Sequence, residues 1–139
     1  MTFLKKILLV DYEPRVTALV RRALEATGKY LIKEERDCRC AVKTARFFQP
    51  DLVLFDIAMN HPRATAAARE LQTDPEFKDT PVVFLGVNPA TETAVSAGIL
   101  SGYSFFANPI RIEDFVRYVA ELFKAPAELI GVGYRVTKS

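Results

Sequence analysis

Short apolar runs alternate with helical stripes along most of the chain. Ile7-Leu8-Leu9-Val10, Leu52-Val53-Leu54-Phe55 and Val82-Val83-Phe84-Leu85 are nearly continuous in apolar character. Runs of this kind read as strands buried on both faces, the condition of a parallel sheet covered by helices. Tyr30-Leu31-Ile32 and Phe105-Phe106-Ala107 are weaker strand candidates. Between them, Val16, Leu19, Val20, Ala23 and Leu24 recur at helix spacing, with Pro14 near the start and Gly28 just past the end. Cys38 to Phe48 is a second helix candidate, with Asp37 as its N-cap. Ala64 to Gln72 is a third, closed by Asp74-Pro75. Ala90 to Leu100 is a fourth, with few large apolar residues. Ile112, Phe115, Val116, Val119, Leu122 and Phe123 form the fifth stripe.

Five strand–helix units predict an α/β fold: a single doubly wound, five-stranded parallel sheet with right-handed crossovers and helices on both faces. The pairs Phe47-Phe48 and Phe105-Phe106, together with Phe123, read as core by their period. The run Lys33-Glu34-Glu35-Arg36-Asp37-Arg39 alternates in sign and reads as a solvated face. Pro126 marks the end of the repeating unit. Residues 1–125 are therefore expected to form one domain. Residues 126–139 form a tail, the start of a linker or truncated segment, with a short strand or hairpin around Gly131 to Val136.

Length and composition narrow the class. A chain of 139 residues suits one domain, which buries roughly two thirds of its unfolded surface. Hydrophobic residues make up 50% and charged residues 26%, which excludes a disordered or collagen-like chain. The 19 Lys+Arg against 17 Asp+Glu leave a formal charge of +2, too little to drive binding to nucleic acid or an anionic membrane. Cys38 and Cys40 cannot build a disulfide framework, and their C-x-C spacing is not that of a zinc site. The first apolar run ends at Asp11, too short to cross a membrane. A soluble, cytoplasmic protein is expected.

In an open parallel sheet, ligands and chemistry collect beyond the carboxyl ends of the strands. Asp11, Tyr12 and Glu13 follow the first run, Asp56 the second long run, Gly86 the next, and Asn108-Pro109 the last. Two carboxylates at neighbouring strand ends suit a hard divalent cation such as Mg²⁺, and one of them suits nucleophilic attack on a phosphoryl group.

These residues resemble the response regulator receiver domain, the CheY-like family of two-component phosphorelays. Val10-Asp11-Tyr12-Glu13-Pro14 is similar to its acidic turn, and the stretch from Pro50 to Met59 to its phosphoacceptor strand. Asp74-Pro75 followed by Thr80-Pro81-Val82-Val83-Phe84-Leu85 is similar to the approach to its fourth strand. Asn108-Pro109 stands where the family carries Lys-Pro. The resemblance spans roughly residues 5 to 124 and implies the flavodoxin-like strand order 2-1-3-4-5. It implies that Asp56 is the phosphoacceptor, taking a phosphoryl group from a sensor histidine kinase or phosphotransfer protein. It further implies Mg²⁺ held by Asp11, Asp56 and the backbone carbonyl of Ala58, with Glu13 as a further ligand within reach. A signalling domain rather than an enzyme follows. The family docks partners or dimerises on the face built by its fourth helix, fifth strand and fifth helix, where Tyr103, Phe105, Arg111 and Tyr118 are candidates.

Several positions depart from the family pattern. The second acid of the turn is Tyr12, whose phenol is protonated at neutral pH and a poor metal ligand. The Ser/Thr position is Gly86, which has no side-chain donor, and the Lys position is Asn108, which adds no charge. Asn60-His61-Pro62-Arg63-Ala64 replaces a loop that commonly holds two glycines. Phe105 stands at the aromatic switch position without a phenol. The expected variant is an atypical, or pseudo-, receiver: weakly phosphorylated or not at all, with weakened Mg²⁺ binding, acting through protein contacts.

Plainer roles stand beside these. Asp56 could cap the turn that follows it, and Asp11 could be the N-cap of the first helix. Asn108 could hold the Pro109 turn, and His61 and Arg63 could be solvated loop residues. A third class, a flavodoxin-like small-molecule binding domain, flavin carrier or small enzyme, lacks the Gly-rich phosphate-cradling loop after the first strand, where Tyr12-Glu13-Pro14 would repel phosphate.

Overall fold

The computed structural model describes residues 4–11, 14–56, 62–87, 94–99 and 109–124. Four strands, β1 (Lys5–Val10), β2 (Tyr30–Glu35), β3 (Leu52–Asp56) and β4 (Val82–Val87), pair in parallel in the order β2-β1-β3-β4. This is the predicted α/β, flavodoxin-like arrangement. Helices α1 (Pro14–Ala26), α2 (Ala41–Phe48) and α3 (Pro62–Thr73) fill the connections.

Alternation along the strands divides the core in two, because successive side chains leave a strand on opposite faces. Ile7 and Leu9 of β1 and Leu52 and Leu54 of β3 pack with Val20 and Leu24 of α1 and with a last helix, Ile112–Leu122. Leu8, Val10, Val53 and Phe55 face the other way, onto Ala41, Val42 and Ala45 of α2 and Ala67, Ala68 and Leu71 of α3. The central runs are thus covered on both faces, and this is why they read as continuous rather than alternating.

Helix ends follow local chemistry. After α1 the chain turns through Gly28 at φ +72°, a left-handed conformation that favours glycine, and the Gly28 amide donates to the Glu25 carbonyl at 3.0 Å. Asp37 does act as an N-cap, accepting from the Arg39 amide at 3.0 Å, but on a 3-10 turn over Cys38–Cys40 that precedes α2. Gln49 closes α2 in the left-handed region, its amide donating to Ala45 O at 2.7 Å.

Asp74 caps the turn Pro75–Phe77, accepting from the Glu76 amide at 2.9 Å and from Arg46 at 2.7 Å. The Glu76 amide first, and the Arg46 guanidinium next, hold its carboxyl below the ordinary value. A carboxyl depressed in the fold stabilises it above the unfolded pKa, and that contribution is lost as pH falls through the folded value. Asp74→Asn is therefore expected to lower the melting temperature by a few degrees at neutral pH. The gap to wild type should close as pH falls through the depressed folded-state pKa of Asp74, as followed by circular dichroism melts across the acid range.

Beyond β4 the structure departs from expectation. The segment predicted as the fourth helix, Ala90 to Leu100, contains instead the strand β5 (Ala94–Ile99), antiparallel to β4. A short strand β6 (Pro109–Arg111) pairs antiparallel with β5 and leads into α4 (Ile112–Leu122). Helical propensity is low over Ala94–Ile99, where Gly98 and the β-branched Val95 and Ile99 disfavour a helix and no large apolar stripe compensates. The strand candidate at Phe105 to Ala107 and the hairpin candidate at Gly131 to Val136 lie outside the described residues. Two side-chain expectations are also corrected. Phe47, read as core by period, is 89% exposed, because α2 turns Ala41, Val42 and Ala45 inward and carries Phe47 to the outer flank. Tyr118, read as a partner-surface residue, is buried at 3% in the cluster with Phe115 and Val119, its ring 6.3 Å from that of Phe115.

Candidate functional site

The pairing of β1 with β3 determines what meets at the carboxyl edge of the sheet. Asp51, just before β3, donates its amide to Lys6 O at 2.7 Å, and its carboxylate accepts from the Lys6 amide at 2.8 Å. That two-way clamp fixes the register, in which Val10 stands opposite Phe55. Asp11 is the next residue on one side and Asp56, the last residue of β3, the next on the other. The two acidic positions therefore lie at the ends of adjacent parallel strands, as the sequence predicted.

Asp11 is 1% exposed, and its amide donates to the Glu35 carbonyl at 2.9 Å, tying the first strand end to the outer strand β2. On the other flank Asp56 stands opposite Leu85 of β4, which puts Gly86 one register step beyond it. The backbone thus sets Gly86 beside the acidic pair, where glycine brings no hydroxyl. Pro109 and Arg111 lie in β6, on the far side of β5 from that pair. Tyr12, Glu13, Ala58, Tyr103, Phe105 and Asn108 lie outside the described residues, as do His61 and the first part of its loop.

The structure adds a cation that apolar patterning does not single out. Arg21 of α1 is hydrogen-bonded to Glu34 of β2 and bridges Glu25 at 3.6 Å. The Glu34 bond, then the charges of Glu34, Glu25 and Asp11, raise its pKa above the ordinary arginine value. Arg21 stays charged at every working pH and is held by the two glutamates. The contact joins Arg21 of α1 to Glu34 of β2, so only the packing of that helix on the strand reveals it.

Hard oxygen donors suit Mg²⁺, and a buried carboxylate at Asp11 beside the Asp56 strand end supplies that chemistry. Among the described residues no group of three or more His, Cys, Asp or Glu side chains is placed to hold a metal ion. No helix among the described residues is long and apolar enough to cross a membrane.

Comparison with known proteins agrees with this geometry. The model of the response regulator receiver domain matches residues 7–120, and the chain belongs to that family. Among solved structures, a response regulator from Desulfuromonas acetoxidans is similar at 22% identity, with 86% of this chain and 97% of that one covered and a TM-score of 0.64. The signal receiver domain of a signal transduction histidine kinase from Syntrophus aciditrophicus is similar at 23% identity, covering 97% of this chain and 96% of that one at a TM-score of 0.62. For the chemotaxis response regulator CheY4 of Vibrio cholerae the values are 21%, 58%, 66% and 0.51, so the match spans just under two thirds of that chain. A search of curated proteins returned no match. Receiver domains are signalling domains of two-component systems; they interact with histidine kinases or phosphotransfer proteins and bind Mg²⁺ at the phosphorylation site.

Proposed function

We propose that this chain is an atypical receiver that keeps the phosphoacceptor position, Asp56, and has lost the groups that stabilise and read a phosphoryl group there. The observation that carries this reading is the strand-end register: Asp11 and Asp56 side by side, with Gly86 as the next neighbour on β4. In phosphoryl transfer an Asp56 oxygen would attack the phosphorus of a phosphohistidine, the P–N bond would break, and an acyl phosphate would form. The product adds roughly −1.5 to −2 of charge. Gly86 offers it no hydroxyl, and Asn108 offers hydrogen bonds without positive charge. Mg²⁺ bound by Asp11, Asp56 and the Ala58 carbonyl would supply charge neutralisation, with Glu13 as a further oxygen donor. Tyr12 leaves that site one carboxylate short.

Signalling then rests mainly on protein contacts. The partners are a sensor histidine kinase, a phosphotransfer protein or another copy of the chain, in a cytoplasmic pathway. Tyr103, Phe105 and Arg111 are the residues of the fifth-strand region proposed for contact; Tyr118 no longer belongs among them. Residues 1–125 form the receiver unit and residues 126–139 a tail.

The metal side of this reading is tested by Mg²⁺ titration, followed by amide chemical shifts near Asp11. Wild type is expected to saturate only at high concentration. Tyr12→Asp should bind about tenfold more tightly, since it restores a hard anionic ligand. Equal affinity in the two proteins would contradict the assignment of Tyr12 to the metal position.

A further inference from the structure

The outer strand β2 and helix α2 leave an open groove on the flank of the sheet, with a volume of about 590 Å³. Its lining includes Lys33 and Glu35 from β2 and Lys43, Thr44, Arg46 and Phe47 from α2. The lining carries three cations against one carboxylate. Both oxygens of that carboxylate are engaged, one by the Thr44 hydroxyl and the other by the Asp37 amide at 3.1 Å. Arg46 is bound to Asp74 at 2.7 Å. Lys33 and Lys43 have no ion pair among the described residues, so the groove presents two ammonium groups without a salt-bridge partner against the single carboxylate of Glu35.

Apolar surface lies beside that charge. Phe47, at the end of α2, is 89% exposed, and Leu31, which shares a face of β2 with Lys33 and Glu35, is 48% exposed. A fully exposed phenylalanine next to unpaired lysines is the surface of a contact with mixed character, an aromatic anchor ringed by charge. We propose that the β2–α2 groove docks an acidic peptide segment of a partner protein, with carboxylates on Lys33 and Lys43 and one aromatic or aliphatic side chain against Phe47. The charge selects this occupant over a second copy of the chain, whose own groove would bring like charges together. The site does not depend on phosphorylation of Asp56.

The test uses the whole chain and a short fluorescein-labelled peptide of glutamates around one central phenylalanine, read by fluorescence anisotropy. Binding is expected, weakening with added salt, and lost by tenfold or more in Lys33→Glu/Lys43→Glu and, separately, in Phe47→Ser. A peptide with lysines in place of the glutamates should not bind. All the changed side chains lie on the surface, and a thermal melt of each variant checks that the fold is kept; either variant alone decides the matter. No binding of the acidic peptide, equal binding of both peptides, or unchanged binding in a folded variant overturns the proposal. A concentration-dependent dimer that Phe47→Ser dissolves would assign the face to a second copy instead, and would equally overturn it.

Discussion

Replacing Phe115 by alanine is expected to remove about 3–5 kcal/mol of unfolding free energy, the range for emptying a fully buried aromatic site. Phe115 is fully buried in the cluster that joins α1 and α4 to one face of β1 and β3. Ile7, Leu54 and Val119 of the same cluster sit on three different elements, whose backbones limit how far the site can collapse. A domain of ordinary stability has only about 5–15 kcal/mol in total, so a loss of this size removes a large part of it. Urea titration should show the midpoint fall with the slope unchanged. A loss below about 1 kcal/mol would mean that α4 is not packed as a core helix.

The second large effect concerns the strand-end site. Returning the missing groups together, in Tyr12→Asp/Gly86→Thr/Asn108→Lys, is expected to raise labelling by acetyl phosphate and Mg²⁺ by one to two orders of magnitude. Each change has its own reason. An aspartate at position 12 supplies a metal ligand, a threonine at 86 a hydroxyl donor, and a lysine at 108 a positive charge for the added phosphoryl oxygens. Electrostatic groups aimed at developing charge are commonly worth 10²–10³ each in rate, and partial misplacement reduces that. Adding Asp56→Asn to the restored protein should abolish the adduct. A restored protein that labels no better than wild type would contradict the roles proposed for these three positions.

Much of the fold is legible in the sequence itself. The continuous runs at Ile7-Val10, Leu52-Phe55 and Val82-Leu85 declare strands covered twice, and the two clusters on opposite faces of β1 and β3 are the packing that such runs require. The two acidic positions were legible because each ends one of those runs, and adjacent strands then put them together. Other features were hidden for physical reasons. β2 continues through Lys33, Glu34 and Glu35, residues that read as solvated, because an edge strand tolerates charge along its outer half. Phe47 breaks the rule that aromatic residues in a helical stripe are core: α2 is only 8 residues long, and its buried face is filled by Ala41, Val42 and Ala45. Tyr118 shows the reverse, since α4 is apolar over a face wide enough to bury Phe115, Tyr118, Val119 and Leu122 together. The Arg21–Glu34 pair depends on the packing of α1 against β2, which no local pattern encodes.

The proposed receiver site keeps Asp56 and lacks the groups that stabilise its phosphorylated form. Intact-mass measurement of the wild-type chain, incubated with acetyl phosphate and Mg²⁺ beside Asp56→Asn, tests this most directly. At most a small fraction of wild type is expected to carry one added phosphoryl group, and none of Asp56→Asn. Near-complete labelling of wild type, or an adduct that survives Asp56→Asn, would contradict it.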